Sequence, residues 1–161
     1  MTIAMPSFED LRDNYPDDPS ADAVKQLIGG NVNADWITNT CCIRLSRAFN
    51  KSGVKLKKHS SPPMHIVTGA DGDNYAFRVR EMRPWIVATF GPPTIDLRNG
   101  APRSKFSSVV GVIAFDIQFH DATGHLDLWD GAHYIHESAD PRDYFALATR
   151  TMVWVAPHRS G

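Results

Sequence analysis

Apolar residues recur at helical spacing up to Phe90, and at two-residue spacing from Gly124 onward. A helical pattern will not settle as a strand, nor an alternating one as a helix, so this division restricts the fold more than any single motif. Helices first and an antiparallel sheet afterwards is the α+β order. Ser7, followed by Phe8, Leu11 and Tyr15 and with Asp10 three places on, marks a first helix that Pro16 stops. Ser20 caps a second helix with Val24, Leu27 and Ile28 inward and Gly29-Gly30 at its end. Residues 31–38 are polar apart from Val32, Trp36 and Ile37 and read as a loop. Between Cys41 and Ser52, positions Cys41, Leu45, Ala48, Phe49 and Ser52 form one helical stripe, with Arg44, Arg47 and Lys51 opposite and Gly53 as the stop.

Residues 54–72 are basic and then rich in Pro, Ser and Gly, a long surface loop. Its Lys55, Lys57, Lys58 and His59 are either solvated or a contact for an anionic polymer such as cell wall. A short strand is expected over 75–79 and a helix over 81–90, with Pro84 tolerated in the first turn and Gly91-Pro92-Pro93 closing it. Residues 109–119 suit a buried strand. The run Gly124-His125-Leu126-Asp127-Leu128-Trp129-Asp130-Gly131 alternates and ends in Asp-Gly, a hairpin signal whose return strand is 132–137. A last strand spans 151–156, before Pro157. The fold expected is N-terminal helices packed on an antiparallel sheet.

A chain of 161 residues fits one domain, 1–161, with a core of its own. Hydrophobic residues at 42% and charged residues at 22% exclude disorder, and a net charge of −1 supplies no whole-molecule attraction to nucleic acid or anionic membrane. No apolar run approaches the roughly 20 residues of a membrane span. Residues 1–18 carry acids where a signal peptide needs an apolar core, so synthesis in the cytoplasm without such a peptide is expected. The only two cysteines are adjacent, which rules out a disulfide framework.

Those cysteines lie in Asn39-Thr40-Cys41-Cys42-Ile43-Arg44-Leu45-Ser46, where loop turns into helix. Unpaired N–H groups and the positive end of the helix dipole favour a thiolate there, and the thiolate is the nucleophile. Cys41 heads the inward stripe while Cys42 is turned about 100° away, so Cys41 is the nucleophile candidate. Its base would be His125, opening the alternating strand, with His136 and Glu137 on the return strand and Asp127 on the face of His125 as possible orienters. His133 and His136 point to opposite faces and do not share a metal. Taken singly, a cysteine at a helix start is more often a small buried hydrophobe, and Asp127 more often an exposed sheet residue.

The Asn39–Ser46 stretch, Ile28-Gly29-Gly30-Asn31-Val32 before it, and Gly124-His125 with Leu128-Trp129 resemble the fourth family of type VI secretion amidase effectors. The similarity keeps its order from about Ser7 to Trp154-Val155-Ala156-Pro157. It implies a papain-like cell-wall amidase fold and a DL-endopeptidase that cuts between γ-D-glutamate and meso-diaminopimelate in peptidoglycan stem peptides, with neither metal nor organic cofactor. It also implies injection into a rival's periplasm by the type VI machinery and a cognate immunity protein over the active-site groove. The family's nucleophile carries over to Cys41 and its base to His125. Its third member is usually an aspartate on the next strand, and the ungapped register puts His136 there. Glu137, one residue on, would point to the other face unless a bulge intervenes, so His136 is the expected orienter. The Cys41 N–H is the expected oxyanion donor, with Asn39 as a candidate second one in the substrate site. Two alternatives stay open: another cysteine amide acyl transfer, such as deamidation or transpeptidation, and a wall-binding module without catalysis.

Overall fold

The computed structural model describes residues 1–119 and 123–160. Ser7 and Ser20 cap their helices as expected: Ser7 Oγ accepts from Asp10 N–H at the head of α1 (Phe8–Asp13), and Ser20 Oγ from Ala23 N–H at the head of α2 (Ala21–Ile28). Val24 and Ile28 face inward, but Leu27 is 63% exposed. Lys25 is buried instead, with its Nζ donating to Ile37 O at 2.8 Å. Gly29 and Gly30 then turn the chain at φ +69° and +59°. A Cβ on Gly30 would lie 2.6 Å from Ala70 N, so the glycine is needed for the backbone crossing as well as the turn.

Helix α3 (Cys41–Lys51) is buried over most of its circumference. Leu45, Ala48 and Phe49 pack into the main core, while Ile43 faces a smaller cluster with Val24, Ile28, Val32, Ile37 and Tyr75. Arg47 and Lys51 reach Asp71 and Asp73 on the turn between β1 (Ile66–Thr68), which falls within the expected surface loop, and β2 (Asn74–Ala76), which overlaps the strand expected over 75–79. Arg44, expected beside them at the surface, is instead 3% exposed. Helix α4 (Val79–Phe90) starts two residues earlier than the sequence suggests, which makes Pro84 its sixth residue. The N–H that proline lacks is missed by the carbonyl of Arg80; both residues lie on the exposed side of the helix, where water can serve that carbonyl.

The remaining strands are β3 (Ile95–Arg98), β4 (Gly111–Asp116), β5 (His125–Trp129) and β6 (Arg150–Val155), in the order β3-β6-β4-β5, every pair antiparallel. Val112, Ala114, Leu126, Leu128, Met152 and Trp154 form the face packed on α1, α3 and α4. Ile113, Phe115, Trp129 and Val153 form the other, covered by Phe106, Tyr134 and the short helix α5 (Tyr144–Leu147). The return strand expected over 132–137 does not form. Only a bridge between Trp129 and Tyr134 survives: Ile135 N–H is shared between Leu128 O and the Asp127 carboxylate, and His136 N–H goes to that carboxylate alone.

Two substitutions separate core from surface. Ile113→Ala, at a fully buried position on the central strand pair, should cost about 2–5 kcal/mol of unfolding free energy. Leu27→Ala, at an exposed one, should stay within about 0.5 kcal/mol, both read by denaturant titration.

Candidate active site

Cys41 is the first residue of α3, and its setting depends on three side chains before and within the first turn. Asn39 Oδ1 accepts the Cys41 N–H at 3.0 Å. Thr40, at the cap position, does not cap: its Oγ1 accepts from Arg44 Nε at 3.0 Å. The Arg44 guanidinium also donates to the carbonyls of Pro16 and Asp18, tying the α1–α2 connection to the head of α3. That is why Arg44 turns inward. Cys41 itself is 5% exposed.

His125 begins β5, the edge strand beside which α3 starts. The glycine before it is compelled, since a Cβ on Gly124 would lie 2.4 Å from Phe115 O. The ring stands among Tyr144, Tyr134 and Phe115, at centroid distances of 5.4, 5.9 and 6.5 Å. His125 Nε2 donates to Asp127 Oδ2 at 2.8 Å, which leaves Nδ1 for the Cys41 thiol.

Asp127 has no exposed surface, yet it is fully partnered. Besides His125 it accepts from Leu128 N–H (2.8 Å), Ile135 N–H (3.2 Å) and His136 N–H (3.1 Å). The position expected of His136 is thus taken by Asp127. His136 is brought close, but behind the carboxylate: its Nδ1 lies 3.5 Å from Asp127 Oδ2 and 3.3 Å from Tyr15 Oη. Its backbone lies at the start of a short 3₁₀ turn instead of a strand, so no register carries its ring to His125. Glu137 points away, to Arg103 at 2.8 Å and His133 at 3.3 Å.

The charges reinforce one another. Burial alone would raise the Asp127 pKa, but hydrogen bonds from His125 and His136 hold it well below the usual carboxylate range. Burial would likewise lower that of His125, and contacts with Asp127 and Cys41 instead lift it to about 10. Cys41 is driven well down, by its neighbour Cys42 and, against burial, by His125, while Cys42 is driven up. The shifts thus run in the direction that favours a thiolate beside an imidazolium.

The thiol opens on a cleft of about 310 Å³ between Thr38, Asn39 and Arg44 on one side and His136, Arg142 and Tyr144 on the other. Asp140 ties that far rim together, accepting from Arg142 Nε at 3.0 Å and from Tyr144 Oη at 2.9 Å. Tyr144 and Arg142 carry no sequence signal that points to the site, and Tyr15 is marked in the sequence only as part of the first helix. Among the described residues, no three His, Cys, Asp or Glu side chains gather as a metal site.

A thiol at a helix start, an imidazole beside it and a buried carboxylate on the far ring nitrogen make up the nucleophile, base and orienter arrangement used to cleave amides through an acyl-enzyme. Residues 37–154 match the family described as type VI secretion system (T6SS), amidase effector protein 4, Tae4, and the chain belongs to that family. It is an enzyme, a peptidoglycan-hydrolysing antibacterial effector of the type VI system delivered to target bacteria. Its structure is similar to that of the effector–immunity system Tae4/Tai4 from Salmonella typhimurium, at 26% identity and TM-score 0.86 over 95% of this chain and 99% of that one. The Tae4–Tai4 complex from Enterobacter cloacae matches at 27% identity and TM-score 0.83, over 94% and 99%. The effector Tae4 alone from Enterobacter cloacae matches at 26% and 0.83, over 97% and 99%. No curated protein sequence matches the chain.

The raised His125 pKa fixes the sign of a pH effect. An imidazolium favoured by the fold adds stability that is present in full below the ordinary value of 6.5 and is lost as pH rises toward about 10. Asp127 adds stability present above the ordinary 3.8 and lost as pH falls below it. Histidine NMR titration should find the His125 ring charged through neutral pH in the parent, and its midpoint should move down in Asp127→Asn.

Proposed function

We propose that this effector is a DL-endopeptidase that hydrolyses the γ-D-glutamyl–meso-diaminopimelate bond of peptidoglycan stem peptides, with Cys41 as nucleophile, His125 as acid and base, and Asp127 as the group that orients His125. The observation that carries the residue roles is the 2.8 Å bond from His125 Nε2 to a fully buried carboxylate, which turns the other ring nitrogen to the thiol. The choice of bond rests on the family likeness. Residues 1–161 act as one amidase domain.

In this reading the Cys41 thiolate attacks the γ-glutamyl carbonyl, and the His125 imidazolium gives its proton to the departing amine of diaminopimelate. Neutral His125 then takes a proton from water as its oxygen attacks the thioester, and Cys41 leaves as the thiolate. Asn39 has a double part. Its Oδ1 holds the Cys41 N–H, and, as Asn39 lines the cleft, the amide nitrogen of the same group is the second donor to the oxyanion. The Cys41 N–H joins it when a stronger acceptor than Asn39 arrives. No cofactor is called for by this sequence of steps.

Relatives are solved with an immunity protein, and we assign this chain a cognate one that covers the cleft at Cys41. Its place of action is the periplasm of the target bacterium, after synthesis in the cytoplasm of the producer.

Incubation with purified diaminopimelate-type peptidoglycan and mass spectrometry of the fragments tests the reading. Products ending in glutamate should appear with the parent and vanish with Cys41→Ala; wall left intact by the parent would overturn it. Among orienter variants, Asp127→Ala should lower kcat by up to about 10⁴, whereas Glu137→Ala should stay near the parent. A larger loss in His136→Ala than in Asp127→Ala would return the orienting role to His136. Cys42→Ala should keep the reaction but shift the acid limb of its pH profile upward, because the neighbour that most favours the thiolate is gone.

A further inference from the structure

Trp36 is 61% exposed, although tryptophan is among the most extensively buried side chains on average. It is not loose. Its ring stands edge-on against Phe77 at a centroid distance of 5.0 Å and an angle of 77°. Phe77 in turn carries the Arg78 guanidinium at 5.4 Å and the His65 ring at 6.4 Å. His65 is fixed by Glu81, which accepts from its backbone N–H at 2.9 Å and pairs with its Nδ1 at 2.8 Å. The result is an immobilised aromatic surface with a rim of charged and hydrogen-bonding groups.

Both rings sit on chain segments that lead into the cleft. Trp36 precedes by two residues Thr38, which lines it, and Val79, two residues past Phe77, packs beside Gly124 in its wall. Nothing in the catalytic machinery uses this surface.

We propose that Trp36, backed by Phe77, is a stacking platform for the glycan strand of peptidoglycan, a subsite outside the stem-peptide cleft. This rests on the reading of the chain as a stem-peptide endopeptidase. A pyranose offers an apolar face of C–H groups, whose positive edges suit the negative face of an indole, and equatorial hydroxyl and acetamido groups that suit a polar rim. On the acyl side of the scissile bond the sugar is two amino acids away, about 7 Å of extended chain, and Trp36 lies five residues before Cys41. The charged rim and the loop's continuity with the cleft favour this ligand over a purely apolar protein partner.

The test compares two substrates that differ only in sugar: a disaccharide-bearing muropeptide and the same stem peptide free. Trp36→Ala should raise KM for the muropeptide about three- to tenfold, the range for one aromatic contact, and leave kcat/KM for the free peptide within about twofold. Trp36→Phe should retain most of the muropeptide affinity, and Leu27→Ala, at another exposed apolar position, should match the parent on both. Equal losses on both substrates, or none on either, would overturn the platform, as would weakened binding of the immunity protein alone. If the parent cleaves neither substrate, the endopeptidase reading fails. Sedimentation of the protein with insoluble sacculi, as Cys41→Ala with and without Trp36→Ala, then decides the platform separately: weaker pelleting supports it and unchanged pelleting overturns it.

Discussion

The carboxylate of Asp127 is the point on which the site is assembled. A charge with no exposed surface survives only if every lone pair is engaged, and Asp127 meets that condition with one imidazole and three backbone N–H donors. Each of those bonds fixes something else. Leu128 N–H anchors the carboxylate to its own strand; Ile135 N–H is shared between it and Leu128 O, and His136 N–H turns the following segment over the site; His125 receives its orientation. The failure of the return strand to pair is thus the structural cost of satisfying one buried anion.

The nucleophile side has a matching device. Arg44, in the first turn of α3, is buried against the Thr40 hydroxyl and the carbonyls of Pro16 and Asp18, so the loops before the helix are fixed to its head. With Thr40 occupied, Asn39 takes the Cys41 N–H, and the thiol is presented to the edge of the sheet rather than sealed in the core. Edge position matters for β5 as well: His125 and Asp127 lie on the face opposite the helices, and the ring meets a thiol on α3 because no further strand flanks β5 there.

Much of this was legible beforehand where the signal was local. Serine caps at Ser7 and Ser20, the stops at Gly29 and Gly91, the helix from Cys41 and the strand from His125 all follow from side chains within a few residues of the event. Misreadings came where burial was decided by distant partners. Arg44 looked solvated by helical phase and is buried by carbonyls far back in the chain; Leu27 looked buried and is not; β1, β3 and α5 are too short to carry a period. The residues left His136, Glu137 and Asp127 open as orienters and the family resemblance favoured His136, whereas in the fold the ring nitrogen of His125 meets Asp127.

The sequence by itself determined the α+β class, the family, and the pairing of a helix-start cysteine with a strand histidine, because these rest on periodicity, capping and short motifs that act along the chain. Only the tertiary structure decided which carboxylate meets the imidazole, which way Arg44 and His136 face, and that Trp36 stands exposed against Phe77. Those outcomes depend on the satisfaction of buried charge and on packing between elements far apart in sequence, and no local pattern encodes either.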